Sequence, residues 1–116
     1  MRKFLIIIVL IISGCDGQIP ASTSYEGAFL LQPRVTDGLV FFDISDTKSS
    51  NIYTIDTQAS DYQKWSAGWF PNSNIVLLYS SDIGSYAWQY KSAWVSVELT
   101  MEMEIQAENL YKTEYK

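Results

Sequence analysis

Histidine is missing from the 116 residues, and cysteine occurs once. Without histidine there is no Ser-His-Asp or Cys-His nucleophile, and most zinc sites lose a principal ligand. A lone cysteine cannot close an internal disulfide, so a folded domain has to hold by packing alone. Basic residues are scarce, eight Lys and Arg against thirteen Asp and Glu. Such a chain repels nucleic acid, and its charge gives no attraction to anionic lipid headgroups. Long apolar runs are lacking too. The longest, residues 4–12, holds nine residues, short of the roughly 20 that a membrane-spanning helix needs.

That run has a specific setting. Arg2 and Lys3 precede it and the small residues Ser13 and Gly14 follow, which is the three-part layout of a secretory signal. The run ends Ile12-Ser13-Gly14-Cys15, and this tetrad resembles the lipobox of bacterial lipoproteins. The resemblance implies cleavage before Cys15, a diacylglyceryl group on its thiol, and often a further acyl chain on the freed amine. Each buried CH₂ contributes roughly 0.8 kcal/mol, so two or three chains hold a protein to a membrane essentially permanently. An ordinary secretory leader with a chance cysteine at the cut is the alternative. Asp16, directly after the cysteine, resembles the signal that keeps an enteric lipoprotein on the inner membrane, facing the periplasm. On the outside of a Gram-positive cell it would carry no such meaning.

With residues 1–14 removed as signal peptide, six basic residues face thirteen acidic ones, a formal charge of −7. Residues 15–24 combine the lipidated cysteine with Gly, Gln, Pro, Ser and Thr, and read as a flexible tether. Residues 25–110 then form one domain, rich in short apolar runs broken by turn formers. Residues 25–32 are the first expected strand, ended by Pro33, and residues 39–44 follow the Asp37-Gly38 turn signal. In residues 51–56, Ile52 and Ile55 are the residues expected near the core. Residues 65–70 stop at Pro71-Asn72-Ser73, a tight-turn sequence. Residues 75–80 read as a strand buried on both faces, and residues 86–90 are aromatic.

The clearest period comes last. Val95, Val97, Leu99, Met101, Met103, Ile105 and Ala107 alternate with polar residues. This pattern fits a half-buried strand of period two, although Met, Glu, Gln and Ala favour helix and the strand would be long. The expectation is a bent or bulged strand, or one that turns helical after about Met103, with a frayed tail over residues 111–116. The whole predicts a mostly β domain of six to eight strands, an antiparallel sandwich or small barrel, with a helical C-terminal end as the variant.

Val40-Phe41-Phe42-Asp43-Ile44-Ser45-Asp46 returns 36 residues later as Val76-Leu77-Leu78-Tyr79-Ser80-Ser81-Asp82. Trp69-Phe70-Pro71-Asn72-Ser73-Asn74-Ile75, with Ser81-Asp82 and Gly84, resembles the blade repeat of TolB-like β-propellers over Leu39 to Tyr90. It departs from that pattern at Phe70, Asn72 and Ser73. A propeller needs at least four blades of about 40 residues, which this length does not hold, and two hairpins with similar turns give the same pattern.

Asp43, Asp46 and Asp56 have the oxygen chemistry for a hard cation, without the spacing of a known loop, and turn aspartates ordinarily cap and bend the chain. No metal, cofactor or catalytic residue is therefore expected. Trp65, Trp69, Trp88 and Trp94, with Tyr62, Tyr86 and Tyr90, either fill the core or form a surface that stacks on sugar rings or anchors a protein. The function expected first is a non-catalytic, membrane-anchored domain that binds a protein partner in the cell envelope. Small anchored proteins of the immunity, exclusion, inhibitor and assembly-factor types are its analogues. Glycan or cell-wall binding through an aromatic platform is the alternative.

Overall fold

Asp37 and Gly38 both adopt positive φ, 55° and 77°, and close a two-residue hairpin between β2 (Phe29–Thr36) and β3 (Leu39–Asp46). This handedness matches the twist of paired strands, which explains why the Asp-Gly signal was readable. The computed structural model describes residues 19–115. The expected leader, Cys15 and Asp16 lie outside the described residues.

Two antiparallel meanders follow one another. The first sheet has the order β1 (Ser22–Thr23), β2, β3, β4 (Ile52–Ser60). The second has β5 (Trp65–Trp69), β6 (Ile75–Ser80), β7 (Gly84–Tyr90) and β8 (Trp94–Val97). Helix α1 (Met101–Glu114) closes the chain. The fold is thus a small β-sandwich with a helical end.

The core explains the order of layers. Phe29, Leu31, Val40, Phe42, Ile44, Ile55 and Ala59 of the first sheet meet Trp65, Val76 and Leu78 of the second. On the other face of the second sheet, Ile75, Leu77 and Ala87 pack against Met103 and Ala107 of α1. Strand β6 is therefore covered twice, by a sheet and by a helix, as its unbroken apolar run requires. Gly68 lets the helix lie close, since a Cβ there would stand 3.1 Å from the Leu110 methyls.

Five expectations need correcting. Strand β2 begins later and runs through Pro33, which pairs with Phe42. Phe29 accepts a hydrogen bond from the Ser24 amide on the β1 side, so by the strand's alternation Pro33 turns its missing N–H to the same side, where no strand lies. Ile52 is 66% exposed and Tyr53 takes the inward place instead, packed against the core. The C-terminal alternation is a strand only as far as Val97; α1 starts at Met101, earlier than the Met103 boundary. Thr100 is the reason, because its Oγ1 accepts from the Met103 amide while the Thr100 amide reaches the Met103 sulfur. Glu102 and Glu104 then sit in the first turn, where negative charge suits the helix dipole. Nor do residues 111–115 fray. Tyr111 lies 4.4 Å from the Tyr79 ring, and the Tyr115 hydroxyl donates to the Trp65 carbonyl at 2.8 Å. At the other end, the domain already includes Ser22–Ser24: β1 pairs with β2 and Ser24 is buried.

Candidate functional site

The strand that would seal one side of the sandwich is only two residues long. Ser22 pairs with Leu31 and Thr23 with Leu30. Continuing that register would place Pro20 opposite Pro33, and neither has an N–H to give, so the ladder stops there. Upstream the chain is held by side chains instead: Gln32 Nε2 donates to the Ile19 carbonyl at 2.7 Å, and Trp69 Nε1 to the Ser22 carbonyl at 3.2 Å.

Where the ladder stops, the mouth of the sandwich stays open as a groove of about 810 Å³. Its walls are Ile19 and Pro20, the inward side chains Leu31, Pro33 and Val35 of β2, Trp65 and Ala67 of β5, and the helix end at Tyr115. Two carboxylates, Asp61 and Glu114, also border it. Both are drawn to the walls, Asp61 by Trp65 Nε1 at 2.8 Å and Glu114 by Ser66 Oγ at 2.9 Å. Tyr115 is likewise tied to the Trp65 carbonyl. Burial, followed by the negative charge of Glu114, raises the Tyr115 pKa above its ordinary 10.0, so it stays a neutral donor through the physiological range.

The aromatic residues singled out in the sequence lie mostly inside. Trp65 is buried. Trp88 meets Phe42 edge-on at 5.7 Å. Trp94, Tyr90 and Phe29 form one cluster with centroids 5.0–5.5 Å apart, and Trp69 joins through Trp94 at 6.0 Å. Tyr53 meets Tyr90 at 5.8 Å, and its hydroxyl is the main cause of a raised Tyr90 pKa. Such tilted and edge-on contacts are how rings pack within a core. Tyr86 and Tyr62 are exposed, Tyr62 over the hairpin glycine Gly38.

The three aspartates each serve a turn or a pair. Asp43 binds Arg34 at 2.6 Å and accepts from Thr54, Asp46 accepts from the Lys48 and Ser49 amides, and Asp56 from the Gln58 amide. Among the described residues no three Asp, Glu or Cys side chains gather as a metal-binding group, and no helix is long and apolar enough to cross a membrane.

A second surface was missed by the sequence reading. Met101 (75% exposed) and Ile105 (53%) stand one helical turn apart on the solvent side of α1, among exposed Glu98, Glu102, Glu104 and Glu108. Helical spacing of four in this stretch would have found it, had the period of two not been followed. The groove had no comparable sequence signal, since it depends on where β1 ends against β2. No family model, no curated protein and no solved structure matches this chain.

Proposed function

We propose that this chain is a bacterial lipoprotein, held to a membrane through lipid on Cys15, whose β domain binds a protein partner in the cell envelope without catalysing a reaction. Asp16 would keep it on the inner membrane of an enteric cell; in a Gram-positive cell it would face outward. The anchor rests on the lipobox tetrad and the charged, apolar and small segments before it. Partner binding rests chiefly on the uncovered face of α1. Met101 and Ile105 leave the core that Met103 and Ala107 join, and their acidic surround fits a partner with an apolar centre and a basic rim. The glycan alternative has less support. A platform needs exposed, parallel rings, yet Tyr86 and Trp88 are inclined by 30° at 6.3 Å, and Trp88 also packs on Phe42.

A photo-crosslinking residue at Ile105, compared with one at Thr54 on the outer face of the first sheet, tests the reading in intact envelopes. The expected result is one discrete adduct from position 105 and none from position 54. If position 105 gives no protein adduct above a control carrying only the lipidated leader, the partner-binding reading falls.

A further inference from the structure

The open mouth of the sandwich lies where the chain enters the domain. Ile19 forms part of its wall, and only three residues separate Ile19 from Cys15. Four extended residue steps reach about 14 Å at most. Whatever is attached to Cys15 is therefore confined to the neighbourhood of this groove. We propose that the groove takes up one acyl chain of the lipid on Cys15, an inference that rests on the lipid-anchor reading above.

The lining selects hydrocarbon over the other occupants. About 810 Å³ lies within the roughly 300–1,000 Å³ of small-molecule pockets. An extended polypeptide entering it would have to pair its own N–H and C=O groups. The walls offer little for that: Pro33 has no N–H, and the Trp65 carbonyl already accepts from Tyr115. An acyl chain has no such demand. Charge points the same way. Asp61 and Glu114 border the groove, so a free fatty acid or an anionic headgroup would meet like charge. The acyl chains of a diacylglyceryl group are ester-linked and carry no charge. The carboxylates are meanwhile drawn aside by Trp65 Nε1 and Ser66 Oγ, leaving Leu31, Pro33, Val35 and Ala67 to contact hydrocarbon. With one chain withdrawn, the remaining chains still hold the protein to the bilayer, and the domain sits with this mouth toward the membrane. The far end of α1, carrying Met101 and Ile105, is then about 20 Å away along the helix, free for a partner.

Trp65 is a built-in reporter. The full-length protein is produced in cells fed a brominated fatty acid, purified, and placed in nanodiscs of unlabelled lipid. Mass spectrometry of the N-terminal peptide shows whether Cys15 carries the brominated lipid. Tryptophan emission is compared with protein carrying ordinary acyl chains, and with Trp65→Phe. The expected result is loss of the share of emission that Trp65→Phe removes, with the other three tryptophans little affected. Val35→Asp puts a charge at the half-exposed rim, where the fold tolerates it, and should restore the lost emission with the lipid mass unchanged. Protein that carries brominated lipid on Cys15 but shows no Trp65 quenching overturns the groove inference and leaves the anchor standing. A Cys15 peptide without lipid overturns both.

Discussion

The two sheets are built alike, four strands each in sequence order, yet they live in different surroundings. The first is covered on one face. Along Phe29–Arg34 of β2 and Leu39–Ser45 of β3 buried and less buried residues alternate, and Arg34, Phe41, Asp43 and Thr54 face outward. The second lies between that sheet and α1, so Ile75, Val76, Leu77 and Leu78 are all buried, two toward each neighbour. The same backbone pattern thus calls for two residue patterns. Coverage of the faces, more than strand propensity, decides which is written into the sequence.

Paired truncations sharpen the contrast, and the largest effect belongs to the shared core. Phe42 is fully buried between the sheets and touches Trp88. Phe42→Ala should lower stability by about 3–5 kcal/mol, with both sheets lost in a single denaturant transition. Leu77 faces the helix instead. Leu77→Ala should cost about 2–5 kcal/mol, and amide exchange should quicken in α1 before it does in β2 and β3. Equal acceleration in the first sheet would mean that the two cores are not separable, and the contrast breaks.

Thr100→Ala is expected to cost about 1 kcal/mol, because it strips the cap from the first turn of α1. The readout is a lower melting temperature with the main loss of exchange protection near Met103. Thr54→Ala on the open face of the first sheet serves as the control and should change little.

Tyr115→Phe comes next, at about 0.5–1 kcal/mol for a half-exposed hydrogen bond to the Trp65 carbonyl. Its pH dependence has a definite sign. Folding raises the Tyr115 pKa, chiefly through burial. The stabilisation from the neutral phenol is therefore complete below the ordinary tyrosine value of 10.0 and is lost as pH rises through the folded value. The stability of the parent protein should fall over that alkaline interval, and Tyr115→Phe should remove that part of the slope. An unchanged slope would show that the helix end is not bound to β5 in this way.

Where sequence and structure agree, the signals are local. Asp37-Gly38 and Pro71-Asn72 specify turns through their own φ angles, and residues 75–80 show their double burial in composition alone. Where they part, the deciding contact is distant or competes with a false period. Seven alternations suggested a strand past Val97, but a threonine cap and strong helix formers prevailed, which left Met101 and Ile105 outside. The inward facing of most aromatics follows from register across strands, which composition does not carry. The groove required knowing that Pro20 would meet Pro33 across β1 and β2. Two prolines thirteen positions apart in the chain give no hint of that meeting.

The smallest effect lies on the open face, where Arg34 and Asp43 form the one ion pair among the described residues, at 2.6 Å. Arg34 also reaches Thr36 Oγ1 and lies over the Phe41 ring at 4.8 Å, while Asp43 accepts from Thr54. Short geometry alone would suggest a strong contact. Solvent argues otherwise, since the two side chains keep 42% and 26% of their exposure and water screens the charges. A double-mutant cycle with Arg34→Ala and Asp43→Ala should give a coupling below about 1 kcal/mol, shrinking further in high salt. Arg34→Ala alone should cost slightly more than the coupling, because the guanidinium also leaves the Phe41 ring. A coupling of several kcal/mol, insensitive to salt, would mean that the outer face of the first sheet is shielded from water. The difference between the two sheets would then be much smaller than their burial implies.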